Sequence, residues 1–400
     1  MQCQPTIYAQ VVPTVPWFAL MAQLLFTAKN LMIKNNNNVS MKELRLMKGN
    51  EAFAEACIRA GADGYFGYPI TPQSEVMEYL MAQKTQERTG MVTLQAESEI
   101  AAINMVYGGA GCGKRVLTSS SSPGMSLKQE GISYIAGSEL PCLLLNVVRG
   151  GPGLGTIQPS QSDYFQSTKG GGHGDYRLIV LAPSSVQEMA DFAGLGFELA
   201  FKYRNPVLVL SDGAIGQMME KVELDIQKPR FTDEDIRKNT PWATIGKTPD
   251  RDHNVITSLD LESIKMEQHN HKLQEKYRLI EENEVRYEKI ACEDAEYAFV
   301  AYGTSARICQ KAIELARAEG IKVGLMRPIT LFPFPKKVVK EMTDRVKGIL
   351  CVEMSAGQMI EDVQLAVEGR VKVEHFGRYG GIVHSPSEIV EALKKQIIGG

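Results

Sequence analysis

The sequence predicts an α/β protein in which helices cover both faces of parallel sheets, with a larger first domain and a smaller second one. Three observations predict it. Apolar, strand-like runs alternate with helix-like stretches through short loops along most of the chain. The 36 glycines cluster where those runs end, as in α/β proteins that bind ligands at strand ends. A length of 400 residues, 44% hydrophobic and 23% charged, supplies a sizeable core and excludes extended disorder, collagen-like repeats and a disulfide scaffold. The net charge of −3 creates no field that would draw the chain to nucleic acid or to an anionic membrane.

The first forty residues do not fit this pattern. Val15 to Ala28 is mostly apolar but too short to span a membrane, and no Lys or Arg precedes Lys29 to make a signal peptide. Asn35 to Asn38 is a low-complexity run. Residues 1–40 are expected to be a disordered or non-native extension, with the folded chain beginning near Met41.

The elements then follow in order. Ala52, Phe53, Ala56, Cys57 and Ala60 share one helical face over Asn50–Ala60, and Gly61 to Gly64 ends that helix. Tyr65–Ile70 reads as a buried strand. Thr71 suits an N-cap and Pro72 the first helical position. A strand is expected over Met91–Ala96, a helix over Ser98–Tyr107 and a strand over Arg115–Thr118. Ser119 to Gly124 then leads into another helix. Pro141–Val148 is a strongly apolar strand running into Arg149 and a glycine-rich loop. Leu178–Leu181 and Pro206–Leu210 read as strands flanking a helix over Ser185–Tyr203. Between Gly213 and Cys292 apolar runs disappear. Leu261–Ile290 is charged and helix-compatible, and His269 and His271 cannot share its face. The alternation returns with strands at Tyr297–Ala301, Val323–Met326, Ile349–Glu353 and Val371–His375, separated by helices, with a last helix from Ser387. The expected division is 41–230, a connector or arm over 231–292, and 293–400.

The seven cysteines include no Cys-x-x-Cys pair, which argues against a cluster or zinc site made by this chain alone. Buried free thiols in a reducing, cytoplasmic location are the expectation.

Ligands bind outside the carboxyl ends of parallel strands, and four such ends carry unusual groups. They are Tyr68-Pro-Ile-Thr-Pro72, Glu97-Ser-Glu99, Ser119 to Gly124, and Arg149 with its glycines. Each has a structural alternative. Thr71 can simply cap a helix, Glu99 can complement a helix dipole, Ser119 to Gly124 can be a turn, and Arg149 can be solvated. No P-loop is present, and no Gly-x-Gly-x-x-Gly follows the first strand. Taken together, the residues point to a small anionic ligand at a sheet edge.

Six segments carry a resemblance. Met47-Lys-Gly-Asn-Glu-Ala52, Gly67-Tyr-Pro-Ile-Thr-Pro-Gln-Ser-Glu75, Gln95-Ala-Glu-Ser-Glu-Ile-Ala-Ala-Ile103, Ser120-Ser-Ser-Pro-Gly124, Arg149-Gly-Gly-Pro-Gly-Leu-Gly155 and Gly172-His-Gly-Asp-Tyr-Arg177 resemble the 2-oxoacid:ferredoxin oxidoreductase family. The similarity is to the subunit that binds the pyrimidine half of thiamine diphosphate, and it runs from about Met47 to the C-terminus. The serine and glycine details resemble the branched-chain (3-methyl-2-oxobutanoate) type most, with the 2-oxoglutarate type close behind. The resemblance implies a pyrimidine-type thiamine diphosphate-binding domain followed by a transketolase C-terminal-like domain.

It also implies roles. Thiamine diphosphate reacts as an ylide, formed with help from the imino tautomer of its pyrimidine, and a carboxylate on the opposite ring nitrogen favours that tautomer. By position in the motif that residue is Glu99 rather than Glu97. Arg149 matches the arginine that holds the substrate carboxylate, and Thr71 a threonine beside the 2-oxo oxygen. Tyr68, Pro69, Ile70 and Ser122 join Glu99 as cofactor contacts.

This chain lacks the Gly-Asp-Gly…Asn segment of diphosphate sites, because Gly172-His-Gly-Asp has neither its order nor its context. A diphosphate-binding partner is therefore expected to bring the diphosphate and Mg²⁺. A ferredoxin-like subunit is expected to carry the iron–sulfur clusters, alongside a gamma-type subunit. The implied reaction is oxidative decarboxylation of a 2-oxoacid with coenzyme A to acyl-CoA and CO₂, with ferredoxin as acceptor and neither nucleic acid nor membrane involved. The alternatives are the same reaction on 2-oxoglutarate, a non-catalytic assembly subunit, and a non-oxidative thiamine decarboxylase.

Overall fold

The structure, a computed structural model, describes residues 43–399 apart from Thr248 and Asp250. The expectation for residues 1–40, and Cys3 with it, lies outside the described residues. Leu44 onward forms one compact unit.

β1 (Glu43–Lys48) leads into α1 (Gly49–Arg59), which ends where Gly61 adopts φ +79°. β2 (Gly64–Gly67), α2 (Ser74–Ala82), α3 (Thr85–Thr89) and β3 (Val92–Gln95) follow. The expected cap at Thr71 is not made. Thr71 to Gln73 form a turn in which the Gln73 amide donates to Ile70 O at 3.0 Å, and α2 starts at Ser74. α4 (Glu99–Gly111) starts where Ser98 Oγ accepts from the Ala101 amide at 3.1 Å, an N-cap of ordinary chemistry. β4 (Val116–Ser120) runs two residues past its expected end, and α5 (Ser122–Gly137) begins before Gly124 because Pro123 sits in its first turn. β5 (Cys142–Val148), α6 (Tyr164–Thr168), β6 (Ile179–Leu181), α7 (Val186–Tyr203), β7 (Pro206–Asp212), α8 (Gly213–Gln217) and β8 (Met219–Leu224) complete this part.

The main sheet has seven strands. β6, β7, β5, β4, β2 and β3 are parallel in that order. The apolar β5 sits at the centre with every residue buried, as a strand covered on both faces must. β3, at the edge, is mostly exposed. The chain leaves β2 towards β3 on one side and returns to β4 on the other. The ends of β2 and β4 therefore flank a topological switch point, where open α/β sheets bind ligands.

The charged segment after β8 folds more than its composition implies. It contains α9 (Asp233–Asn239), α10 (Ser263–Asn283) and β9 (Tyr287–Ile290). α10 buries only Leu273, Tyr277 and Ile280, a stripe at spacings of four and three that suffices to dock a helix. His269 Nε2 lies 2.7 Å from Gly137 O. β9 is the antiparallel edge of a second sheet whose other strands are β10 (Tyr297–Val300), β11 (Val323–Pro328), β13 (Gly348–Glu353) and β14 (Lys372–Gly377), all parallel to one another. Between β11 and β13, β12 (Thr330–Phe332) crosses over and pairs antiparallel with β6, extending the first sheet. α11 (Gly303–Ala318), α12 (Lys336–Met342), α13 (Met359–Val367) and α14 (Pro386–Ala392) are the helices of this second part. Among the described residues no helix is long and apolar enough to cross a membrane.

Candidate functional site

The loop after β2 is stitched to β4 by side chains. Tyr65 Oη lies 2.8 Å from Ser119 Oγ, Ser119 donates to Gln73 Oε1 at 2.5 Å, and Gln73 Nε2 donates to Tyr68 O at 3.1 Å. The chain must approach closely here, since a Cβ on Gly67 would stand 2.2 Å from the Tyr65 hydroxyl. From the other side Asn50 Nδ2 donates to Pro72 O at 2.8 Å and to Glu75 at 3.0 Å. The loop that carries Tyr68, Pro69, Ile70 and Thr71 is thus rigidly placed at the switch point. Pro69 and Thr71 are exposed, and Tyr68 and Ile70 half-buried.

Glu99 and Glu97 separate cleanly. Glu97 is exposed on the bend before α4, whereas Glu99, at the first helical position, is 7% exposed. Glu99 packs on the start of α5, where a Cβ on Gly124 would stand 2.6 Å from Glu99 Oε1 and 2.2 Å from Ser120 Oγ. No hydrogen-bond donor among the described residues reaches the Glu99 carboxylate. Ser120 Oγ beside it, and Ser121 Oγ, are buried without partners. The carboxylate therefore keeps its lone pairs free for a donor brought by a ligand.

Arg149 is not solvated. It is 9% exposed and its Nη1 and Nη2 donate to Thr71 O at 2.9 Å and Leu154 O at 3.0 Å. Its amide donates to Ser122 Oγ at 3.1 Å. Arg149 therefore brings Thr71 and Ser122 together. Its Nε is buried without a partner, and it forms no ion pair among the described residues. A guanidinium resting only on carbonyls in a dry site retains its attraction for a carboxylate.

Four residues at this edge escaped sequence reasoning. Gln73 is fully buried and links loop to sheet. Asn146, the polar residue within β5, accepts from the Ser122 amide at 3.1 Å and donates to Asp163 at 2.8 Å. Burial pushes the Asp163 carboxyl up, against the pull of Asn146. Lys128 is fully buried on α5. The polar interruption of an apolar strand pointed to Asn146, and the spacing Gly124, Lys128, Ile132 pointed to a lysine on the buried face. Gln73 and Asp163 left no such signal. A cleft of about 490 Å³ opens beside Ser122, lined by Asp163, Gly151 to Gly153, Gln358 and Tyr379. Among the described residues no group of His, Cys, Asp or Glu could hold a metal ion. Cys57, Cys142, Cys309 and Cys351 are buried free thiols, Cys292 is partly buried and Cys112 exposed.

Comparison with known proteins shows the family of this chain. Residues 55–289 match the family described as pyruvate flavodoxin/ferredoxin oxidoreductase, thiamine diphosphate-binding, and residues 295–389 match pyruvate:ferredoxin oxidoreductase core domain II. Ketoisovalerate oxidoreductase subunit VorB of Methanothermobacter thermautotrophicus is 51% identical over 88% of this chain and 97% of its own length. The 2-oxoglutarate synthase subunit KorA of the same organism is 35% identical over 89% and 99%. A solved 2-oxoglutarate:ferredoxin oxidoreductase from Magnetococcus marinus, with 2-oxoglutarate, coenzyme A and succinyl-CoA bound, superposes with a TM-score of 0.77 at 29% identity, covering 89% of this chain and 66% of that one. A split gene transketolase, at 12% identity and a TM-score of 0.56, shares the fold.

Proposed function

We propose a role for this chain from the premise that it belongs to the 2-oxoacid:ferredoxin oxidoreductase family, as a thiamine diphosphate-binding subunit of a multi-subunit enzyme. Its substrates are 3-methyl-2-oxobutanoate and related branched-chain 2-oxoacids, converted with coenzyme A to acyl-CoA and CO₂ while ferredoxin is reduced. The substrate assignment is supported by 51% identity to a ketoisovalerate oxidoreductase subunit against 35% to a 2-oxoglutarate synthase subunit.

The observation that carries the catalytic reading is the buried, donor-free Glu99 carboxylate at the switch point. Bound thiamine diphosphate supplies a nucleophilic carbon for a 2-oxo carbonyl and a sink for the electrons released by decarboxylation. Glu99 accepts a hydrogen bond from the pyrimidine ring and holds a proton on its nitrogen. Tyr68, Pro69, Ile70 and Ser122 would line the ring. Arg149 takes the substrate carboxylate by exchanging the Leu154 carbonyl for it. That exchange costs little, because Leu154 is 82% exposed on a glycine-rich loop. Thr71, its main chain tied to Arg149, donates its hydroxyl to the 2-oxo oxygen. A partner subunit contributes the diphosphate and Mg²⁺, and iron–sulfur clusters carried on another subunit take the electrons.

The test is coenzyme A-dependent ferredoxin reduction by the purified complex. The expected outcome is a kcat/KM for 3-methyl-2-oxobutanoate at least about tenfold above that for 2-oxoglutarate, the discrimination a reshaped apolar pocket provides. Preference for 2-oxoglutarate would reverse the substrate assignment. A complex that turns over neither acid would leave the assembly-subunit alternative.

A further inference from the structure

The buried face of α5 carries a charge that the catalytic reading does not use. Lys128 is fully buried. Its ammonium donates to Thr118 Oγ1 on β4 at 2.9 Å and forms no ion pair among the described residues. Lysines are almost never fully buried unless paired, and an unpaired ammonium is costly to desolvate. Helix geometry shows where its compensation lies. Lys128 follows Gly124 by four residues, so both occupy one face of α5, a turn apart. Gly124 is the residue on which the Glu99 carboxylate packs. Burial lowers the Lys128 ammonium to about 8, and Glu99 is the group whose charge opposes that shift. A buried cation with one neutral acceptor and a carboxylate with no donor thus lie against one face of α5 without forming a direct ion pair.

Resting on the reading of Glu99 as the pyrimidine-facing carboxylate, we infer that Lys128 is a positioning residue for the reaction. It is a counter-charge to Glu99, anchored on Thr118, that leaves the carboxylate's lone pairs free for the cofactor ring. Thr118 is essential to this arrangement. By holding the ammonium on β4 it prevents collapse into a direct salt bridge, which would occupy the oxygens that Glu99 must present. Gly124 keeps the space between α4 and α5 narrow enough for the two charges to act on each other.

The test is a double-mutant cycle in the assembled complex, read by thiamine diphosphate affinity with Mg²⁺ and by thermal unfolding. Lys128→Met removes the charge and keeps the length. The melting temperature should fall by no more than a few degrees, since the desolvation cost of Lys128 goes while Glu99 loses its counter-charge. Affinity should fall about tenfold or more, and the same change in a Glu99→Gln background should alter affinity less than about twofold, the non-additivity of coupled residues. Turnover should fall while the Michaelis constant for the 2-oxoacid stays within about threefold, because Lys128 acts through Glu99 and not on the substrate. Lys128→Gln keeps a donor for Thr118 without the charge. It should behave as Lys128→Met does, and it replaces that variant if the methionine form fails to assemble. Affinity within about twofold of the parent in both variants, or losses in Lys128→Met and Glu99→Gln that multiply, would overturn the inference. If Glu99→Gln is itself silent in binding, the catalytic reading fails first and this one falls with it.

Discussion

Two buried glutamates at the carboxyl ends of parallel strands have opposite surroundings. Glu353 closes β13 in the second sheet and is completely buried. It accepts from the amides of Gln358 at 3.1 Å, Met359 at 2.9 Å and Ile360 at 3.0 Å, and from Ser355 Oγ at 2.9 Å. It caps the start of α13 with a full set of donors. Glu99 lies where α4 begins at the edge of the first sheet, nearly as deeply buried, and no donor reaches it. Charge and burial match, so the donor count separates them. A buried carboxylate saturated by its own chain holds the fold together. One that its own chain leaves unsatisfied lowers stability and implies a ligand that completes it. Burial and residue type alone would not have told them apart.

Exchanging each glutamate for glutamine is the most direct way to break this comparison. Glu99→Gln should reduce turnover about 10²–10⁴-fold, the usual contribution of acid–base assistance, with the melting temperature unchanged or raised. Glu353→Gln should do the reverse. Its amide group meets amides that donate to it now, and hydrogen bonds to a charged group contribute about 1.5–3 kcal/mol each. A fall of several degrees in melting temperature is expected, with kcat per folded enzyme preserved. If both variants lose stability and keep turnover, Glu99 is a structural carboxylate too.

Gly124→Ala sharpens the same contrast without touching a charge. Alanine normally stabilises a helix relative to glycine, but here its Cβ would meet Glu99 and Ser120. Misplacing a catalytic group by about 1 Å costs on the order of 10²-fold. A loss of that size, with the helix content unchanged by circular dichroism, is the expected outcome.

Arg149→Lys keeps the charge and loses the planar fork. The Michaelis constant for the 2-oxoacid should rise more than about tenfold, since a charge-assisted hydrogen bond contributes about 1.5–3 kcal/mol, while thiamine diphosphate affinity stays level. A constant Michaelis constant with a lower melting temperature would make Arg149 a brace for Thr71 and Leu154 only.

A last effect belongs to the second part of the chain and is read by pH. His384 is 3% exposed, and its Nε2 lies 3.0 Å from Ser305 Oγ. Burial lowers its pKa from 6.5 to about 4. Between those values the unfolded chain binds more protons than the folded one. The contribution is therefore present above pH 6.5 and is lost as the pH falls towards 4, for a total of about 3 kcal/mol. Unfolding followed from pH 7 to 4 should show this slope in the parent and a flatter one in His384→Asn. An unchanged slope would place the acid sensitivity elsewhere.

Much of this was legible from residues near one another in the chain. The offset of two on a helix start cannot bring both Glu97 and Glu99 to one face, and the motif's position favoured Glu99. Arg149 stood out because it ends an apolar strand. Thr71 was read as a helix cap, whereas it lies in a turn, because a cap signal describes three residues and not what the turn must do to meet Gln73 and Asn50. The charged segment around Leu273, Tyr277 and Ile280 looked free of the core because three buried side chains in a helix of 21 residues are too sparse for a periodicity count.

By itself the sequence determined the alternation of the main strands and helices, the apolar character of β5, and the residue types gathered at the strand ends. Those properties depend on side-chain periodicity and backbone preferences within a few residues, and such short-range physics is written locally. Only the tertiary structure decided which strand lies beside which, that β12 returns to pair with β6, that Gln73 reaches Ser119, and that Lys128 lies a turn from the residue on which Glu99 packs. Each of these is a contact between distant segments. Its free energy comes from shape and charge complementarity that exists only once both partners are in place, so neither segment carries a local mark of it.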